Sequence, residues 1–399
     1  MMEPRKPLEG VRILSVSQYG AGPFATLQLA DLGAEVIKIE DRLVGGDVSR
    51  SVIPYAEGGD SLYFQSLNRN KKSITLNLKS EKGRELFRAL AAKADGVFNN
   101  LRGDVPERLG LTYEQLKEVQ PAIVTCSLSG FGTSGSMKAQ PAYDYLLQAM
   151  VGHMSLTGGP GTPPEKYGVS MIDFSTGVMA ALGMMVGLFA AKVRGVGCDV
   201  DVSLFDTAAS MLNYLAIWNL NRDYVPQKTA WSAHPSLVPS QMFPTRDGYL
   251  VVMCNKEKFF PLLCEALGVP HLAQDERFVN FAGRLKHREA LVEALIAVFV
   301  QCDTAHWVER LSGKVPVAPV NDVGAALKEP LMKERGMVVE TEHPTFGALR
   351  MVGCPIHLSG HERSYRAGPA LGEHNDEVFG EWLGLSREEI ARLSDEGIL

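Results

Sequence analysis

Little in this chain points to a metal, a membrane or a nucleic acid. Nine histidines are scattered through 399 residues. No HExxH or comparable cluster occurs among them, so no metal is expected. The six cysteines, Cys126, Cys198, Cys254, Cys264, Cys302 and Cys354, form no CxxC pair. Their spacing fits no zinc or iron–sulfur pattern, so they read as reduced structural thiols. No uninterrupted run of 18 apolar residues occurs, and the most apolar stretch, Ala180 to Ala191, has the length of a buried helix. Charge of one sign is also missing: the net charge is −6, and Lys and Arg are spread along the chain. That argues against nucleic-acid and membrane-surface roles. The opening MMEPRKPLEG has neither an apolar signal core nor Arg/Ser richness. A cytoplasmic protein is therefore the expectation.

What is present is globular. Hydrophobic residues make up 45% and charged residues 22%, and the length suits two domains. The first 130 residues alternate between strand and helix patterns. Val11–Val16, Glu35–Ile39, Ser73–Leu78, Gly96–Asn99 and Ala122–Leu128 read as strands. Phe24–Leu32, a segment capped by Ser80 and running to about Ala94, and Thr112–Val119 read as helices. Such alternation implies an α/β fold with a mostly parallel sheet covered on both faces. A Gly/Pro loop at residues 157–168 precedes a long helix expected from about Ser175 to Val193. Residues 221–248 carry turn signals, and 249–301 have the makings of a smaller domain. Ser386–Leu393 reads as a capped helix.

Gly20, Gly22 and Ala25 form a GxGxxA between a strand and a helix, and Glu40 ends the next strand. The spacing meets the dinucleotide fingerprint. It is equally what any strand–turn–helix unit needs at a tight turn, with Pro23 as a plain first-turn proline.

Longer blocks resolve this ambiguity. Gln18–Thr26, Leu32–Glu40, Asn68–Leu76, Ser127–Gly135 with Tyr143-Asp144, Ile172–Gly177, and the tail blocks Leu371–Glu377 and Leu393–Ile398 resemble, in order, the class III CoA transferases, or CaiB/BaiF family. The resemblance spans nearly the whole chain. It implies an α/β, Rossmann-like large domain built from both chain ends, a smaller α+β domain, and an interlocked homodimer. The corresponding boundaries are 1–200 for the large domain, 201–248 for a linker, 249–325 for the small domain and 326–399 for the return.

By the same resemblance, Asp173 is the catalytic aspartate, which carries CoA covalently. Its residue type alone would suit a helix N-cap equally well. CoA or acyl-CoA is then a substrate and no tightly bound cofactor is expected. Positions matching the family's CoA contacts are Gly20, Ala21, Leu76, Asn77, Leu78, Lys79, Asn100, Leu101, Arg102, Arg108, Tyr143 and Asp144. The family's basic residue after the second strand appears as Asp41-Arg42, which makes Arg42 the candidate there. Gly158 and Gly159 are candidates for donating backbone N–H groups to a carbonyl oxygen, a surface turn being the alternative. The segments Ala233–Gln241 and Thr245–Gly248 suggest transferases for glutarate-type acids. In these segments His234 and Arg246 are candidates for a distal carboxylate.

The family also holds α-methylacyl-CoA racemases, which use a His-Asp pair where this chain has Tyr143-Asp144. Tyrosine is a poor base at neutral pH, so a racemase is the runner-up. A nicotinamide-dependent dehydrogenase and a catalytically silent CoA-binding protein are further alternatives.

Overall fold

The computed structural model describes residues 6–399. They divide into two compact units. The large unit comprises residues up to Val151, Tyr167–Asn213 and Pro330–Leu399; the small unit comprises Gly152–Lys166 and Tyr214–Glu329.

The large unit is built on six parallel strands: β1 (Arg12–Val16), β2 (Glu35–Glu40), β3 (Lys72–Thr75), β4 (Gly96–Asn99), β5 (Val124–Ser129) and β6 (Cys198–Ser203). Their order across the sheet is β3-β2-β1-β4-β5-β6. The winding therefore reverses between β1 and β4. In open α/β sheets, ligands bind outside the carboxyl ends of the strands at such a reversal. The third strand is shorter than its periodicity suggests: Leu76 N–H still donates to the Glu40 carbonyl at 2.8 Å, but Asn77 N–H turns away to the Ile398 carbonyl.

Side-chain alternation assigns the two faces. Ile13, Val36, Phe98 and Cys126 point to one core, which is covered by α1 (Ala21–Asp31) and α5 (Met171–Arg194). Leu14, Ile37, Ile74 and Val97 point to the other. That second core is covered by α3 (Glu81–Ala91) and by the C-terminal helices α7 (Asn375–Leu383) and α8 (Arg387–Asp395), through Phe87, Phe379, Trp382 and Leu393. Each such fully buried large side chain contributes roughly 1.5–3 kcal/mol. The chain's end is thus part of the sheet's cover. Ser386 caps α8 in a reciprocal capping box with Glu389.

Helix α5 begins four residues earlier than the pattern suggests, so Asp173 lies inside its first turn. With 24 residues it is long and apolar enough to cross a bilayer. It is instead the crossover between the adjacent parallel strands β5 and β6. Small residues let it lie close on the sheet: a Cβ on Gly187 would stand 2.6 Å from Val124 Cγ1. A hairpin of β10 (Val338–His343) and β11 (Gly347–Val352) also belongs to the large unit.

In the small unit, β7 (Ser240–Pro244), β8 (Tyr249–Met253) and β9 (Val317–Pro319) form an antiparallel sheet. Helices Phe259–Leu267, Arg288–Phe299 and Thr304–Leu311 pack with it around Phe243, Leu250, Phe260, Leu295 and Trp307. These boundaries correct the ones expected from sequence. Residues 201–248 are not a linker: β6 ends within them, α6 (Leu204–Met211) packs in the large unit, and β7 pairs residue by residue with β8. Turn-rich composition hid β7, whose partner is needed to show it. Residues 326–329 stay with the small unit, and so does the Gly/Pro loop from 157 as far as Lys166.

Candidate active site

A cleft of about 430 Å³ opens at the carboxyl ends of β1, β4 and β5. The turn after β1 supplies Gln18 to Ala21, the segment after β4 supplies Asn100 to Arg102, and the segment after β5 supplies Gln140 to Tyr143. Asp173 faces this cleft from the first turn of α5.

The β1 turn is tightly braced. Tyr19 adopts φ 68°, a left-handed conformation costly for a residue with a Cβ. Its N–H donates to Asp47 Oδ1 at 3.0 Å. Lys38 Nζ donates to Asp47 Oδ2 at 2.6 Å and to the Ser17 carbonyl at 2.5 Å. Lys38 and Asp47 are both fully buried in their side chains. Burial alone would raise the Asp47 carboxyl, but the Lys38 ammonium outweighs it and holds the group below its ordinary range. From the other side Asn100 clasps the turn: Gln18 N–H donates to Oδ1 at 2.9 Å and Nδ2 donates to the Gln18 carbonyl at 2.8 Å.

This bracing sets Gly20 against Asp173. A Cβ at Gly20 would stand 3.0 Å from Asp173 Oδ2 and 3.7 Å from the Tyr63 hydroxyl. Asp173 is thereby largely withdrawn from water. Burial, and secondarily the neighbouring Asp144 carboxylate, push its carboxyl up to about 7. An ordinary carboxylate is a weak nucleophile that stays ionised; this one is more basic and about half ionised at neutrality.

Tyr63, on α2 (Leu62–Asn68), went unnoticed in the sequence. Its ring lies 5.4 Å from that of Tyr19, and its hydroxyl reaches the Gly20–Asp173 contact. Burial raises its phenol, so it remains a neutral donor. No local pattern marks a lone tyrosine in a short helix. Lys38 and Asp47 were missed for the same reason.

The structure brings Gly20, Ala21, Asn100, Leu101, Arg102, Tyr143 and Asp173 to one cleft. Leu76, Leu78, Lys79 and Arg108 line a second one, of about 480 Å³, with Arg84, which the sequence reading did not single out. Several candidates have other partners. Arg102 forks onto Asp104, which also receives Arg108. Arg42 donates to Ser394 Oγ at 2.6 Å, and neither cleft includes it. Asn77 turns to the chain end, with its N–H on the Ile398 carbonyl. Asp144 is buried, caps α5 and does not line the cleft.

Gly158, Gly159, His234 and Arg246 belong to the small unit. Gly158 has φ 99° in a turn closed by Thr162 and Glu165. His234 Nδ1 accepts from the N–H groups of Ser236 and Leu237 and its ring stacks on Tyr214, so it braces the turn around Pro235. Exposed Arg246 forks onto Asp303. The distal-carboxylate role expected of these two thus meets side chains already engaged, His234 within its own turn and Arg246 on Asp303.

Comparison with known proteins places the arrangement in context. The family model described as CoA-transferase family III matches residues 8–375. Succinyl-CoA:glutarate CoA-transferase of Homo sapiens is 36% identical over 399 residues, covering 99% of this chain and 90% of its own. Acetyl-CoA:oxalate CoA-transferase of Acetobacter aceti is 37% identical over 376 residues, covering 93% and 94%. The crystal structure of a CaiB/BaiF family protein from Brucella suis superposes with a TM-score of 0.82 at 32% identity, covering 95% of this chain and 100% of that one.

Proposed function

The chain belongs to CoA-transferase family III, and on that premise we propose that Asp173 carries CoA covalently from a succinyl-CoA-like donor to a di- or hydroxy-carboxylic acid. The observation that carries this reading is the placement of Asp173: first turn of a helix, against the Gly20 turn, with its carboxyl raised to about 7.

The steps follow from that group. The Asp173 carboxylate attacks the donor thioester carbonyl, and the C–S bond breaks to release CoA thiolate and leave a mixed anhydride. The thiolate attacks the Asp173 carbonyl carbon, expelling the donor acid and forming an aspartyl–CoA thioester. The acceptor carboxylate attacks that thioester, giving a new anhydride and thiolate, which then takes the acceptor acyl group and frees Asp173. Each step exchanges one activated acyl bond for another, so no ATP is consumed. Each addition places negative charge on a carbonyl oxygen. The N–H groups opening α1, beside Gly20, lack intrahelical partners by geometry and are suited to receive it, with the neutral Tyr63 hydroxyl as a further donor.

The two clefts suit the two ends of an acyl-CoA: the first the thioester, the second, with Lys79, Arg84 and Arg108, the phosphates. On this reading the large unit is a Rossmann-like CoA-binding domain, supported by its strand order. The protein acts as a homodimer. Val178, Leu182, Val186, Phe189 and Val193 form an exposed apolar stripe along α5, larger than a solvated face sustains.

The test is to incubate the enzyme with succinyl-CoA and hydroxylamine. An Asp173 hydroxamate should form by mass spectrometry, and Asp173→Ala should abolish CoA exchange. Exchange retained near the wild-type rate would refute the mechanism. For the substrate, kcat/KM is compared for oxalate, succinate, malate and glutarate. Each acid is offered with succinyl-CoA and with formyl-CoA as donor, and a clear preference for formyl-CoA with oxalate would overturn the substrates proposed here and leave the mechanism standing.

A further inference from the structure

Asp144 has no place in the mechanism above, yet it is one of the most engaged carboxylates beside the site. It opens α4 (Asp144–Met150) and is only 3% exposed. Its Oδ2 accepts from the N–H groups of Ile172, at 2.7 Å, and Asp173, at 3.0 Å. Its Oδ1 accepts from Gln148 Nε2. Gln148 Oε1 in turn accepts from the Tyr167 N–H at 2.9 Å. One turn of α4 therefore holds both ends of the segment leading into α5. Ser170, the residue preceding α5, offers no side-chain cap of its own. Three N–H donors occupy this carboxyl as an acceptor, and a carboxylate at a helix N-terminus is favourable.

We infer that Asp144 is the positioning residue of the transfer reaction: by accepting the Ile172 and Asp173 N–H groups it fixes the backbone of Asp173 and sets a second carboxylate behind the reacting one.

The other groups around Asp173 do not supply this charge. From α2 comes the Tyr63 hydroxyl, kept neutral by burial, and from the β1 turn the Tyr19 ring; the cleft's Arg102 is paired with Asp104; α5 has no other acid in its first turn. Asp144 remains as the like charge, and its effect on Asp173 adds to that of burial. The pair thus separates two jobs: a fully hydrogen-bonded carboxylate that stays put, and a poorly hydrogen-bonded one left free to react.

The inference rests on Asp173 being the carrier, and the experiment keeps the two apart. Wild type, Asp144→Asn and Asp144→Leu are compared for kcat/KM against pH with succinyl-CoA, and for hydroxylamine trapping at Asp173. Asparagine retains an acceptor for the α5 N–H groups and removes the charge. It should keep a folded, trappable enzyme whose acid limb moves down by about one pH unit. Leucine removes both functions and should lower kcat at least tenfold with a smaller change in KM. Should Asp144→Asn not fold, Gln148→Leu, which strips one donor from Asp144, must shift the limb upward instead. A profile that stays at the wild-type position in the folded variant overturns the inference. Failure to trap wild type at Asp173 overturns the carrier reading instead.

Discussion

If Asp173 is buried in the way described, its activity and the protein's stability should respond to pH in opposite directions. A carboxyl with a folded-state value near 7, against an ordinary 3.8, holds its proton more tightly when folded. Its stabilising contribution is therefore fully present below about pH 3.8 and is lost as pH rises towards and through 7. At 1.36 kcal/mol per unit, a rise of about three units costs the folded state about 4 kcal/mol once the group is ionised. Asp173→Asn replaces the protonated carboxyl with a neutral isostere and escapes that cost. In calorimetric scans, its Tm should equal the wild type's near pH 4 and exceed it by several degrees at pH 8. Over the same range, wild-type kcat/KM should climb, since about one-tenth of Asp173 is ionised at pH 6, half at pH 7 and nine-tenths at pH 8. The enzyme would then give up stability to keep an anion in a dry site. Equal Tm values for wild type and Asp173→Asn at pH 8 would show that the carboxylate is solvated, and would refute the argument.

Further predictions test the parts around it. Gly20→Ala should push Asp173 by a few tenths of an ångström, since the new Cβ starts 3.0 Å from Oδ2; kcat should fall roughly tenfold with little change in Tm, and unaltered steady-state kinetics would contradict the close contact. Asp47→Ala leaves Lys38 buried without its partner and should cost roughly 3–5 kcal/mol in denaturant unfolding; a loss below 1 kcal/mol would mean the pair is dispensable. In heavy water a 2-methylacyl-CoA should acquire no deuterium at its α-carbon, because the exposed Tyr143 is no base at neutral pH; rapid enzyme-dependent uptake would favour racemisation. Sedimentation should give a dimer that persists on dilution, and Phe189→Asp, on the apolar stripe of α5, should reduce its yield; a folded wild-type monomer would exclude the homodimer.

Local chemistry was enough for the frame. Period-two apolar strands alternating with capped helices are signals written within a dozen residues, and they foretold the parallel sheet, α1, α3 and α8 before any contact was known. The blocks around Gly20, Asn100, Tyr143 and Asp173 likewise pointed to a single site, and the fold does bring those residues to one cleft. Local signals end where partners are chosen at a distance. Whether Arg102 is free for a phosphate depends on Asp104, and whether Asp144 faces a ligand or a helix end depends on how α4 lies against α5. Tyr63, Lys38 and Asp47 converge on the β1 turn from three separate elements, and β7 is a strand because β8 pairs with it. The basicity of Asp173 is of the same kind: a carboxyl's proton affinity is set by the water it has lost and the charge beside it, and only packing decides both.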